Sequence, residues 1–220
     1  MKKTSKAKLI AALILNIFII GTMVYSLVVF FTGIGDGNMA VHGTRCFMFF
    51  TIDSNLLMAL ASIVSIICLI KQLKDNRYVF PKSVTVFNLI ATAGVTITFL
   101  VVLCFLGPIS GYLPMYAGTN LFMHALNPIA AIILYMFLQT DNRMTLKNNI
   151  FGIITTIVYG TVYAVMVIFI GARNGGWYDF YHFNIGGFWY ISYIVMQGVA
   201  LGVSVLLSIV HNKMLKRSEK

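Results

Sequence analysis

The stretch FFTIDSNLL, residues 49–57, places four polar residues, one of them acidic, at the start of a segment that stays apolar through Ile70. Inside a membrane, a carboxylate or an amide is costly unless it faces protein, water or a ligand. This stretch therefore predicts either the cap of a membrane helix or a functional site at membrane depth.

The composition of the chain is that of an integral membrane protein. Of its 220 residues, 59% are hydrophobic and only 10% are charged, whereas a soluble domain carries far more charge. Apolar segments long enough to cross a bilayer as helices lie at about 9–31, 47–70, 83–106, 120–138, 150–170 and 187–210. We predict an all-α, polytopic membrane protein in which residues 1–220 form a single domain of six transmembrane helices.

The positive charge of the chain indicates topology and does not indicate nucleic-acid binding. The net charge is +10, yet 14 of the 16 Lys and Arg residues precede the first predicted helix or follow the second, fourth or sixth. Only Arg45 and Arg173 lie on the other side. By the positive-inside rule, both termini are predicted to be cytoplasmic. No nucleic-acid partner is expected.

The three cysteines do not form a recognisable motif. Cys46 and Cys104 are predicted near the outer face and Cys68 near the inner one, so only the first two are placed to pair. Their spacing does not require a disulfide, and packing among apolar side chains is the favoured role.

A histidine beside a proline is the strongest single-residue signal in the chain. The segment NLFMHALNP, residues 120–128, contains His124 and Pro128. The residues from Pro128 to Leu138 are too few to span a bilayer, so the helix must begin before His124. Pro128 has no N–H to donate to the carbonyl of His124, which predicts a kink there. The alternative role for His124 is structural, as a partner of a neighbouring helix.

Thr51 and His124 are predicted to lie at the same depth. Each follows the start of an inward-running helix by about four residues, which puts both about 6 Å below the outer boundary. A histidine within reach of a hydroxyl can take its proton as the oxygen attacks, and a lipid ester is the natural substrate at that depth. The alternative for Thr51 is a hydroxyl that bonds back to its own helix. Asp53 points away from Thr51, whereas Ser54 and Asn55 share its face.

Two other hypotheses remain open. The first is a metal site built from residues predicted at the outer side, although no local ligand motif is present: His42, His124, His182, Asp36, Asp53 and Asp179. The second is a non-catalytic binder or transporter of a small amphipathic molecule, with His124 and Gln197 along its path. We rank both below the dyad, and we predict neither a bound metal nor a cofactor.

The chain resembles the FAR-17a/AIG-type family of androgen-induced and androgen-dependent multipass proteins, and its bacterial six-span relatives labelled Pr6Pr. The resemblance covers residues 47–187 and is carried by three features: the segment FTIDSNLL at 50–57, Met123-His124 followed by Pro128, and Gly176-Trp177-Tyr178 before an aromatic cluster. Where the family shows Trp-x-Tyr-Pro-Phe, this chain has WYDFY at 177–181.

The resemblance implies a membrane threonine hydrolase that cleaves fatty acid esters of hydroxy fatty acids, in a bacterial plasma membrane. The family's histidine falls on His124 and its threonine on Thr51. Aligning Asn55 with the family's acid or amide displaces Thr51, which leaves Ser54 as the alternative nucleophile. The predicted site comprises Thr51 and His124 as the catalytic pair, and a surrounding set that binds or orients the substrate: Asp53, Ser54, Asn55, Asn127, Trp177, Tyr178 and Gln197. Asn55 or Asn127 would donate to the oxyanion, and residues 177–183 would cover the acyl chain.

Overall fold

The described residues form six long helices, joined by three short links and two longer ones, 33–49 and 171–188. The computed structural model describes residues 5–34 and 41–219, without the side chains of 218 and 219, so the predicted ligand Asp36 lies outside the described residues. The helices are α1 Lys6–Thr32, α2 Phe50–Lys74, α3 Lys82–Ser110, α4 Thr119–Leu138, α5 Leu146–Ile170 and α6 Trp189–Glu219. All six are long and apolar enough to cross a membrane. Within these residues no strand occurs, so the predicted six-helix, all-α architecture is confirmed.

Several helices run further than their apolar segments predict, and α3 and α6 show where the extra residues lie. α3 continues to Ser110, where Gly111 with a φ of +86° ends it in a conformation that favours glycine. α6 continues past the apolar segment to Glu219, and its last turn contains Lys216 and Arg217. Basic side chains at a helix C-terminus interact favourably with the helix dipole. Hydropathy therefore marks where these helices leave the apolar layer and does not mark where they end.

α3 is the central helix of the bundle. In the most apolar part of α3, 56% of the residues are buried. In the corresponding part of α5 only 17% are buried, so α5 lies at the periphery. α3 packs against α2, α4, α5 and α6. Its middle carries Ala91, Ala93 and Gly94, which allow neighbouring helices to approach closely. One buried cluster joins α3 to α1, α2 and α4, and a second joins it to α4 and α6.

At one end of the bundle, here called the terminal end, polar contacts join the start of α1, the end of α2, the link after α4 and the last part of α6. Lys8 Nζ of α1 donates to Thr140, and Gln72 Nε2 of α2 donates to Asp141 in the link after α4 (both 3.2 Å). Asn212 of α6 exchanges two 2.8 Å hydrogen bonds with the backbone of Met144. The opposite end, here called the site end, contains the start of α2 and the links 111–118 and 171–188.

Cys46 and Cys68 are buried and Cys104 is exposed, and all three are free thiols. Cys46, in the short 3₁₀ segment Gly43–Met48 that leads into α2, packs in the cluster shared by α1, α2 and α4. The cysteines therefore pack as apolar side chains, or face outward in the case of Cys104, and the pairing of Cys46 with Cys104 that topology allows does not occur.

Candidate active site at the start of α2

Thr51 and His124 meet at the site end of the bundle. The Thr51 hydroxyl lies 3.4 Å from His124 Nε2, and His124 Nδ1 lies 2.6 Å from the carbonyl oxygen of Met115. A carbonyl can only accept, so Nδ1 carries the proton in this hydrogen bond and Nε2 presents its lone pair to Thr51. His124 is only 8% exposed. The pair therefore has the arrangement of a hydroxyl nucleophile and an oriented general base.

A π turn places His124 in α4. Residues Phe122–Leu126 are wound as a π-helix, in which the N–H of Asn127 donates to the carbonyl of Phe122. Pro128 follows directly and has no N–H to continue the regular ladder. The disturbance that the sequence predicts at Pro128 therefore takes the form of a wider turn, and His124 lies inside it.

Met115 supplies the group that orients His124, and no sequence pattern predicts this contact. The link between α3 and α4 contains one helical turn, Tyr112–Met115, flanked by glycines with positive φ, Gly111 and Gly118. The last carbonyls of a helix have no partner within the helix. The carbonyl of Met115 is one of these, and His124 Nδ1–H satisfies it.

Buried amides behind the dyad connect α2, α4 and α1. Asn55 Nδ2 donates to the carbonyls of Thr51 (2.8 Å) and Met123 (3.1 Å), and its Oδ1 accepts from Asn127 Nδ2 (3.0 Å). Asn127 Oδ1 accepts from the Thr22 hydroxyl at 2.7 Å. Both N–H groups of Asn55 are therefore committed, so Asn55 positions the two backbones and does not donate to an oxyanion, while Asn127 retains one N–H.

Ser54 faces away from His124. Its hydroxyl pairs with the hydroxyl of Thr98 on α3 (2.9 Å) and reaches the Thr51 carbonyl (3.3 Å). It is 2% exposed. Ser54 therefore helps join α2 to α3, and Thr51 is the hydroxyl that contacts the imidazole.

Tyr181 is the side chain that the sequence analysis did not single out. Its hydroxyl accepts from the backbone N–H of Phe50, the residue before Thr51, at 3.1 Å. Burial raises the pKa of Tyr181 to about 12. Its phenol is therefore protonated at neutral pH, and it can donate a hydrogen bond beside the Thr51 oxygen.

Asp179 fixes the link that carries Tyr181. Its carboxylate accepts from the Tyr163 hydroxyl (3.0 Å) and from the backbone N–H groups of Phe183 (2.7 Å) and Asn184 (2.8 Å). The Tyr163 hydroxyl in turn accepts from the N–H of Tyr181 at 3.0 Å. Phe180 packs edge-on against Phe49, with ring centroids 4.9 Å apart. The aromatic link thus lies over the start of α2, and Asp179 is a structural residue.

The other predicted site residues lie apart from the dyad. Asp53 and Trp177 line a cavity between α2 and α5. Tyr178 is 78% exposed. Gln197 of α6 accepts from the Thr156 hydroxyl of α5 at 2.8 Å. The predicted contribution of α6 to the site is therefore not seen, and the link before α6 contributes Tyr181 in its place.

The metal hypothesis finds no support in the part of the chain that the structure describes. No group of three or more His, Cys, Asp and Glu side chains there is close enough to hold an ion. Asp179, one of the predicted ligands, is already engaged by three donors.

No family model, no curated protein and no solved structure matches this chain. The family resemblance noted in the sequence therefore stays a prediction.

Proposed function

We propose that this protein is a membrane-embedded hydrolase of lipid esters, with Thr51 as the nucleophile and His124 as the general base. One observation carries the proposal. The imidazole is held by the Met115 carbonyl so that its unprotonated nitrogen faces the Thr51 hydroxyl, 3.4 Å away. A hydroxyl is a weak nucleophile at neutral pH, and a base oriented in this way is the group that activates it.

The reaction has two halves. As Thr51 Oγ1 attacks the ester carbonyl carbon, its proton moves to His124 Nε2. The tetrahedral intermediate then collapses, and the departing alkoxide takes that proton and leaves as the alcohol. Water next attacks the acyl-threonine, gives a proton to His124 Nε2, and releases the fatty acid as Thr51 recovers its proton. Throughout, Met115 keeps Nδ1 protonated, so the same nitrogen accepts and returns the proton.

Tyr181 is the donor that we assign to the oxyanion. The N–H of Phe50 donates to the Tyr181 oxygen, so the Tyr181 O–H remains to donate to a substrate oxygen beside Thr51. We predict that Tyr181→Phe lowers kcat by about 10²-fold with little change in KM, because an oxyanion donor acts mainly on the transition state. Steady-state kinetics on a long-chain ester measure this. A change confined to KM would assign Tyr181 to substrate binding.

The proposed substrate is an ester of a long-chain fatty acid. The dyad lies near the start of two apolar helices, and the exposed faces of these helices are apolar, so a lipid can approach from within the bilayer. Membership of the FAR-17a/AIG-type family, with its hydrolysis of fatty acid esters of hydroxy fatty acids, is part of this proposal. The motifs at 50–57 and 123–128 support it.

The direct test of the proposed function is fatty acid release by the purified protein in nanodiscs. The substrates are a fatty acid ester of a hydroxy fatty acid and a simple long-chain ester, each compared with the corresponding amide. We expect turnover of at least one ester. A folded preparation that hydrolyses none of them would favour the alternative, a binder or transporter.

We also propose that both termini are cytoplasmic and that the site end faces outward, in a bacterial plasma membrane. The terminal end of the bundle carries most of the basic residues, which supports this orientation. In a Cys104→Ser background, a membrane-impermeant maleimide is expected to label Tyr178→Cys in intact cells, and Leu146→Cys only after lysis. Both native residues are well exposed, at 78% and 70%. The reverse labelling pattern would contradict the orientation.

A further inference from the structure

A cavity of about 330 Å³ lies between α2 and α5, on the side of α2 that faces away from His124. Its volume falls within the range of small-ligand sites, roughly 300–1,000 Å³. The lining is mostly aliphatic and aromatic, and Trp177 contributes from the link before α6. Three polar side chains interrupt this lining: Asp53, Ser54 and Thr155.

Asp53 is an acid without a partner in this cavity. It is half-buried in a helix that is apolar enough to cross a membrane, and within the described residues no cation or hydrogen-bond donor pairs with its carboxylate. The Thr155 hydroxyl, on the facing helix, lies against Gly94 of α3 and does not reach Asp53. Ionisable groups at membrane depth are costly and normally pair with another group, so the unpaired carboxylate of Asp53 indicates a missing ligand.

The walls around Asp53 are aromatic. Phe50 and Tyr159 pack with ring centroids 5.1 Å apart, and Tyr159 and Trp177 with centroids 6.5 Å apart. Aromatic faces attract a cation through their quadrupole, and quaternary ammonium groups are recognised by such cages. A carboxylate among aromatic rings therefore suits an organic cation. An acyl chain in the same place would leave the carboxylate desolvated and unpaired.

We propose that this cavity binds an organic ammonium group, with Asp53 as the counter-ion and Phe50, Tyr159 and Trp177 as the aromatic walls. The group can belong to a soluble amine or to the headgroup of a lipid in the outer leaflet. This binding is separate from ester hydrolysis, because Asp53 and Thr51 point to different sides of α2. It does not depend on the dyad being catalytic.

The test uses the fluorescence of Trp177, one of two tryptophans in the chain. Trp189→Phe leaves Trp177 as the sole reporter. The protein is reconstituted in phosphatidylglycerol nanodiscs and titrated with tetramethylammonium chloride at constant ionic strength, and separately prepared with increasing phosphatidylcholine. We expect a saturable change in fluorescence in at least one series. Saturation with tetramethylammonium alone would identify a soluble cation as the ligand, and saturation with phosphatidylcholine would identify a lipid headgroup.

Asp53→Asn is expected to weaken the response by about tenfold, because it removes the charge and retains the shape. The described structure gives Asp53 no hydrogen bond to lose, so the variant is expected to be at least as stable as wild type. Asp75→Asn, at the far end of the same helix, changes the net charge equally and should bind like wild type. Val162→Phe, which fills the cavity, should also weaken binding. A response absent from both series, or equal in Asp53→Asn and Asp75→Asn, would overturn the proposal.

Discussion

Thr51→Val and His124→Ala are each expected to lower kcat/KM for a long-chain ester by about 10³-fold. Thr51→Val keeps the shape of the side chain and removes the nucleophilic oxygen. His124→Ala removes the base that lies 3.4 Å from that oxygen. Because the two groups act as one unit, the double variant should be no slower than the slower single variant. Steady-state hydrolysis by purified variants in nanodiscs measures all three.

The control for these variants is Thr51→Ser, which retains a hydroxyl at the same position and should retain part of the activity. Ser54→Ala tests the alternative nucleophile. Ser54 pairs with Thr98 and does not contact His124, so Ser54→Ala is expected to keep most of the activity. Full activity in Thr51→Val together with loss in Ser54→Ala would transfer the nucleophile to Ser54.

Asn55→Ala is expected to reduce the free energy of unfolding by about 2 kcal/mol. The Asn55 side chain joins the carbonyls of Thr51 and Met123 and accepts from Asn127. Its removal leaves a buried carbonyl on α4 and a buried amide of Asn127 without their partner, and such orphaned groups carry a desolvation penalty. Reversible unfolding in mixed micelles, followed by circular dichroism, measures the change.

Asn16→Ala is the matched control for Asn55→Ala. Both asparagines are 0% exposed, so the cavity left by truncation is similar. Asn16 donates only to the Ala12 carbonyl of its own helix, and its Oδ1 has no hydrogen-bond partner. We therefore expect Asn16→Ala to cost less than about 1 kcal/mol. Equal losses in the two variants would show that the amides behind the dyad contribute no interhelical stabilisation.

The six helices could be predicted because hydropathy alone determines where helices of this length occur. The prediction that Thr51 lies level with His124 uses two further regularities. Successive helices alternate in direction, and the rise per residue is fixed, so the depth of each side chain can be calculated. Depth does not determine which helices touch. For this reason depth alone does not relate Gln197 to His124, and the structure shows Gln197 bonded to Thr156 between α5 and α6.

The groups that complete the site lie in links, where the sequence has no periodicity to analyse. Met115 acts through a backbone carbonyl, which any residue type supplies. Tyr181 is one of several aromatic residues in a segment whose composition is typical of a membrane-interface belt. Its position over the Phe50 N–H depends on Tyr163 and Asp179, two residues that only the folded chain brings together.

The most direct test of the dyad is labelling of the purified protein with a fluorophosphonate probe, with the adduct located by peptide mass. Wild type, Thr51→Val and His124→Ala are compared in the same detergent, after each has been shown to be folded. We predict one adduct, on Thr51, that is absent from Thr51→Val and strongly reduced in His124→Ala. Wild-type protein that hydrolyses esters but carries the adduct elsewhere, or carries it on Thr51 without any need for His124, would contradict the proposed mechanism.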